Sequence, residues 1–225
     1  MAKGKLFVLA GIDGSGKKTQ ATLLKEKLIK EGHLVKLISF PRYGQNSSKA
    51  IECYLRGEFG TADEIDPYFA SALYAHDRYK AAPQIRKWLE DGNIVICDRY
   101  ISANKGHQGG KIKDKEEKDR FLEWLDELEF NIYKIPKPDA VILLHLPCKI
   151  CQNLVDKKDS RDYLEGKKRD VHEDDINHLE DARQNYLYVA KKYDWKTIEC
   201  CEEDGLLPIE KIHEMIWAYV KKNLK

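Results

Sequence analysis

Between the apolar run Leu6–Ala10 and a helical stretch from Lys17 lies Gly11-Ile12-Asp13-Gly14-Ser15-Gly16-Lys17-Lys18-Thr19. This order of strand, glycine turn, lysine and helix start suits a polyphosphate. Glycines let the backbone fold tightly enough for its amides to surround a phosphate. The helix N-terminus adds partial positive charge, and Lys17 supplies a full one. Gly11, Gly14, Ser15, Gly16, Lys17, Lys18 and Thr19 are therefore the expected phosphate-binding residues. Lys18 stands where Ser or Thr normally meets magnesium. Thr19 or another oxygen takes over that task, or the metal is held differently.

Further charged and aromatic groups recur at the ends of apolar runs. Asp98-Arg99-Tyr100 follows Ile94–Cys97, and Phe40-Pro41-Arg42-Tyr43 closes Leu34–Phe40. Ligands of open parallel sheets bind outside the carboxyl ends of the strands, so these residues are expected on the rim that carries the glycine turn. An arginine there bridges phosphate oxygens with its fork; an aspartate holds hydrated magnesium or locks an arginine. Tyr74 and Arg78, four apart, share a helix face and suit a planar base, the ring on its face and the guanidinium at its edge. The polar stretch Ser102–Gly110, with Asn104, His107 and Gln108, falls on the same rim and is expected to meet sugar and base. His107 has no carboxylate or metal partner nearby in sequence and is given no proton-transfer role.

The elements that must position these groups are five strand-length apolar runs, Leu6–Ala10, Leu34–Phe40, Ile94–Cys97, Ala140–Leu146 and Trp195–Cys200, separated by helical periodicity. Such alternation predicts an α/β fold, a parallel sheet covered on both faces. Asp66-Pro67 predicts a capped helix start, and Asp91-Gly92 its end near Glu90. Ile176, Leu179, Ala182, Tyr186 and Val189 stripe a later helix. Leu207-Pro208 introduces a last helix with Ile209, Ile212, Ile216 and Val220. Residues 157–172, nearly without apolar groups, read either as a solvated loop or as a mobile cover whose arginines close over a transferring phosphoryl group.

Lys and Arg number 39 against 38 Asp and Glu, a net charge of +1, so no basic footprint points to nucleic acid. No stretch approaches the ~18 apolar residues of a membrane span. Lys3 and Lys5 precede a short apolar run that is read as the first strand of a cytoplasmic protein rather than a signal peptide. Cys148-x-x-Cys151 with Cys200-Cys201 would suit zinc or a redox pair, but reduced structural thiols are the better expectation.

Gly11–Gln20, Phe40–Tyr43, Tyr74 with Arg78, Asp98–Tyr100 with Asn104 and Gln108, and the basic stretch before Glu173 occur in one order from residue 6 to about residue 190. In these elements the sequence resembles the thymidylate kinase family of nucleoside-monophosphate kinases. The phosphate loop is common to many NTPases; the Phe-Pro-Arg and Asp-Arg-Tyr elements at this separation are far more specific. The resemblance implies one P-loop domain over residues 1–225, with a five-stranded parallel sheet between helices and a basic lid at about 157–173. It also implies ATP as donor, dTMP as acceptor, magnesium and a homodimer. By the same resemblance Arg42 and Arg99 hold the acceptor's 5′-phosphate. Tyr74 stacks on thymine, Arg78 donates to its edge, and Phe40 belongs to the substrate-binding residues. Asp13 lies near the transferring phosphate and metal, and Glu173 near the metal or sugar. Asp98, Asn104, His107 and Gln108 belong to the acceptor site, His107 replacing a tyrosine associated with sensing the absent 2′-hydroxyl. Gly14 stands where other members place a loop arginine, so transition-state charge is expected from Lys17, Arg99 and the lid residues Arg161 and Arg169. Two rivals differ in chemistry. One is another nucleoside-monophosphate or deoxynucleoside kinase with a different or broader acceptor; a nucleoside acceptor would need a carboxylate base for its hydroxyl, and none is forced by the sequence. A GTP-dependent switch needs Asn-Lys-x-Asp, and Asn104-Lys105-Gly106-His107 lacks the aspartate.

Overall fold

The computed structural model describes residues 3–61, 64–155, 176–202 and 205–224. Among them, five strands form one sheet in the order β2-β3-β1-β4-β5, every pair parallel. They are β1 (Leu6–Ala10), β2 (Val35–Ser39), β3 (Ile94–Asp98), β4 (Ala140–His145) and β5 (Lys196–Glu199). β1 is central: Val8 lies level with Cys97 of β3 on one side and Val141 of β4 on the other. All five of its side chains are buried, whereas the edge strands β2 and β5 keep exposed positions. That is why the middle strands read as unbroken apolar runs. From β1 the chain crosses to β2, and from β3 it returns past β1 to β4, so the direction of winding reverses beside β1. In such sheets a ligand crevice opens at that point.

The helices are α1 (Lys17–Lys30), α2 (Lys49–Leu55), α3 (Pro67–Glu90), α4 (Ile101–Lys111), α5 (Lys115–Asp126), α6 (Cys148–Val155), α7 (Ile176–Lys192) and α8 (Ile209–Asn223). α3 begins as its sequence predicts, the Asp66 carboxylate accepting from the Phe69 amide at 2.9 Å. α8 buries Ile212, Ile216 and Val220. The polar stretch after Tyr100, expected on the rim, is helical. Its glycines are there for contact: a β-carbon at Gly106 would lie 2.3 Å from the Tyr186 ring of α7, and one at Gly110 3.1 Å from the Ala182 backbone. Asn185 of α7 donates to the carbonyls of Lys105 and Gly106 at 2.6 and 3.0 Å, fastening the two helices. α5 runs on into a π-helical turn, Glu127–Ile132, and a short hairpin pairs β6 (Cys201–Glu202) with β7 (Gly205–Leu206). No disulfide and no metal-ligating cluster occurs among the described residues, and no described helix is long and apolar enough to cross a membrane.

Candidate active site

At the end of β1 the backbone turns through Gly14 and Gly16, with φ of 82° and 83°, values open to glycine at little cost. Gly14 is further fixed by its neighbour. A β-carbon there would sit 2.1 Å from the Cys151 carbonyl oxygen of α6, which leaves no room for an arginine at this position. Lys17, 6% exposed, curls back over the loop. Its ammonium donates to the carbonyls of Gly11 and Ile12 at 2.9 and 2.7 Å and to the Ser15 hydroxyl at 3.2 Å. Lys18 and Thr19 are exposed at the mouth.

Asp98 and Arg99 leave β3 on the same rim. Arg99 takes a left-handed backbone, φ 66°, and its guanidinium pairs with Asp13 of the loop. Burial works against the Arg99 charge, yet Asp13, with smaller help from Tyr186 and Asp98, holds the guanidinium well above its ordinary value. His107 of α4 completes the group, its Nε2 3.4 Å from Arg99 Nη1 and 3.9 Å from Asp13. Its carboxylate neighbour comes from the glycine loop, far away in sequence and invisible to local spacing. Burial, outweighing Asp13, pushes the imidazole well below its ordinary value, so His107 is neutral. It stacks on His178 of α7 with ring centres 6.2 Å apart. One Asp98 oxygen, Oδ1, is buried with no hydrogen-bond partner among the described residues.

Arg42 arrives from the end of β2 and is held by α3. Its backbone amide and its Nε donate to the two Asp77 carboxylate oxygens at 2.8 and 3.0 Å, and Nη2 reaches Ser47 at 2.9 Å. Arg78, 1% exposed, lies in a bidentate pair with Glu129, both bonds 2.6 Å, and donates to Asn104 at 2.8 Å. Burial pushes the Glu129 carboxyl above its ordinary value, and the Arg78 charge pulls it back. Tyr74 meets Tyr54 of α2 edge to face, ring centres 6.3 Å apart. Gln108 contacts the Tyr54 hydroxyl at 3.4 Å, and Phe40 lies 5.7 Å from the Tyr100 ring.

One open pocket of about 1340 Å³ lies among these residues. Asp13 through Thr19, Phe40, Arg42, Tyr74, Arg78, Asp98, Arg99, Asn104, His107 and Gln108 all border it. Gly11 lies behind the loop, its carbonyl under the Lys17 ammonium. Arg161, Arg169, Glu173 and the expected lid fall outside the described residues. The volume exceeds the ~300–1,000 Å³ of a typical small-ligand site, leaving space for two nucleotides. Beside α1, where the Gln20 amide donates to the Ile209 carbonyl at 3.0 Å, Leu206, Leu207, Ile209 and Ile212 form an apolar wall suited to a flat base. Sequence reasoning missed that wall, and it missed Asp77 and Glu129. The signal for Glu129 was a carboxylate continuing the Phe121, Leu122 and Leu125 stripe. That for Asp77 was a second charge beside Arg78 on α3.

The sequence model of a family described as Thymidylate kinase matches residues 9–216. A probable thymidylate kinase of Pyrococcus horikoshii is 33% identical over 224 residues, covering 99% of this chain and 98% of that protein. Probable thymidylate kinase 1 of Saccharolobus solfataricus is 29% identical over 220 residues, with 98% of each chain covered. The solved structure of a thymidylate kinase from Candida albicans superposes with a TM-score of 0.71 at 23% identity, covering 99% of this chain and 93% of that one. That last likeness is one of fold.

Proposed function

The chain belongs to the thymidylate kinase family, and from that premise we propose that the pocket transfers the γ-phosphoryl group of ATP to dTMP, giving dTDP and ADP for dTTP synthesis. One observation carries the reading: Lys17, Arg42, Arg78 and Arg99, from four separate elements, border a single cavity large enough for donor and acceptor together. The donor's phosphates enter the glycine loop, where Lys17 exchanges carbonyl partners for phosphate oxygens. The apolar wall at the start of α8 takes the donor base. Arg42 and Arg99 hold the acceptor phosphate, Tyr74 covers the base, and Arg78 donates to its edge.

The acceptor is already an oxyanion near neutral pH, so the task is to neutralise charge and align reactants, not to remove a proton. The residues agree with this. Asp13 is committed to Arg99, and His107 is neutral in a buried, cation-flanked position. Alignment of two bound nucleotides supplies roughly 7–11 kcal/mol of the barrier. Fixed cations supply more, because they act on developing charge without reorganising.

Magnesium is part of this proposal. The orphaned, buried Asp98 oxygen and the Asp13 carboxylate fit an ion that takes one or two carboxylates and completes its shell with water and phosphate oxygens. Bound there, it would neutralise phosphate charge; Glu173 and Thr19 are the further oxygen donors proposed. The reading also takes residues 1–225 as one cytoplasmic domain, forming a homodimer, with Arg161 and Arg169 on a lid over about 157–173.

The test is ADP release from ATP across dTMP, dUMP, dCMP and thymidine. Turnover with dTMP well above the others is expected, and Arg78→Ala should erode the preference. Phosphorylation of thymidine but not dTMP, or nucleotide hydrolysis indifferent to any acceptor, would overturn the assignment.

A further inference from the structure

The acceptor pocket contains a buried ion pair whose inner member never touches the cavity. Arg78 and Glu129 are 1% and 0% exposed, and 51 residues separate them in sequence. Arg78, Asn104 and Tyr100 border the pocket, while Glu129 stands behind them on the π-helical turn that follows α5. A guanidinium has five N–H donors in a rigid plane. Here Nε–H goes to one Glu129 oxygen and one Nη2 hydrogen to the other, each at 2.6 Å. The second Nη2 hydrogen goes to Asn104 Oδ1 at 2.8 Å. Nη1 has only a long contact, 3.4 Å, to the Tyr100 carbonyl. Among the described residues, Nη1 is thus the edge of the fork left to meet a ligand.

We propose that Glu129 is a positioning residue for acceptor selection: by saturating the inner edge of Arg78 it presents one donor-only nitrogen to the base, which accepts a ring carbonyl and rejects an amino group. The physical reason is one of valence. An unheld guanidinium rotates and offers any of three nitrogens at varied depths. Clamped on two sides by charge-assisted bonds, it offers one, at fixed depth. Thymine and uracil bring an oxygen acceptor to that nitrogen. Cytosine brings N–H donors, and a donor facing a donor in a desolvated site leaves both unsatisfied. Asn104 then has two duties in one contact, since the oxygen that fixes Nη2 belongs to a side chain on the pocket wall. This inference rests on the reading of Arg78 as the neighbour of the acceptor base.

The experiment compares Glu129→Asp and Glu129→Gln with the parent protein for kcat and KM on dTMP and dCMP, KM for ATP, and thermal unfolding. Asp keeps the charge that compensates Arg78 but is one methylene shorter, so the fold is retained while the fork is drawn inward. Gln keeps the length but faces Arg78 with a second donor. The expected result in Glu129→Asp is a KM for dTMP raised about tenfold, with the dTMP-to-dCMP ratio of kcat/KM lowered by a similar factor. KM for ATP and kcat at saturating dTMP should stay near parental values. Glu129→Gln should lose at least as much selectivity. A purely structural role would shift the unfolding temperature and leave the KM pattern untouched. Glu129→Asp with parental KM and parental selectivity would therefore overturn this inference alone. A parent protein that does not itself prefer dTMP to dCMP would overturn the base-reading premise with it.

Discussion

Lys17, Arg42, Arg78 and Arg99 each have a carboxylate or carbonyl behind them, and the consequences of removal differ. Lys17 is buried on the oxygens of its own loop, so Lys17→Ala should leave the fold intact and lower kcat by at least about a hundredfold. Arg99→Ala removes the guanidinium paired with Asp13 and should cost turnover on a similar scale; near-parental turnover in either variant, measured by ADP release, would refute its role. His107 offers a test of sign. Burial, opposed by Asp13 and reinforced by Arg99, His178 and Lys17, depresses its folded value well below the ordinary 6.5. The unfolded chain therefore takes up a proton that the folded one refuses. This histidine's contribution is complete above about pH 6.5 and is lost as pH falls toward the folded value. Denaturant unfolding at about pH 7.5 and about pH 5.5 should show a smaller loss of stability on acidification in His107→Gln than in the parent. An equal loss would remove the claim. Sequence spacing identified the cations and could not identify what restrains them, because Arg42–Asp77 and Arg78–Glu129 join positions 35 and 51 residues apart.

The helix most at odds with its own sequence is α4. Glycines at 106, 109 and 110 each cost about 1 kcal/mol of helix propensity relative to alanine. The cost is offset by the close approach of α7, whose Tyr186 and Ala182 occupy the space that β-carbons would fill. A Gly106→Ala substitution should accordingly destabilise the protein by about 1–3 kcal/mol, read in denaturant unfolding, despite the better propensity. A stabilised variant would show that the two helices are not pressed together there. The strands were legible for the opposite reason. β1, β3 and β4 are buried on both faces, so burial alone dictates their composition. α5 and its π-helical turn escaped notice because a glutamate completes their inward stripe, and sequence pattern alone treats a charge as outward.

Across the whole molecule, the sheet order sets everything else: the glycine loop leaves the central strand where the winding reverses, and Arg42 and Arg99 leave β2 and β3 on the same side. That much follows from apolar runs and their C-terminal residues. What does not follow is the outer surface. α3 exposes Phe69 and Tyr79 to about half their area, 50% and 46%. The homodimer proposed above predicts sedimentation at twice the mass of one chain, and a paired Phe69→Glu and Tyr79→Glu variant should sediment lighter if these rings are covered. A parent protein of single-chain mass at micromolar concentration would refute the dimer.

The pairing of Arg42 with Asp77 and of Arg99 with Asp13 makes the cleft a poor trap for stray anions. Sulfate, inorganic phosphate or a loose strand of RNA would have to compete with carboxylates already in place. A full substrate, anchored through ring and sugar as well, does so at no such disadvantage. The molecule thus gives up some raw attraction for small anions.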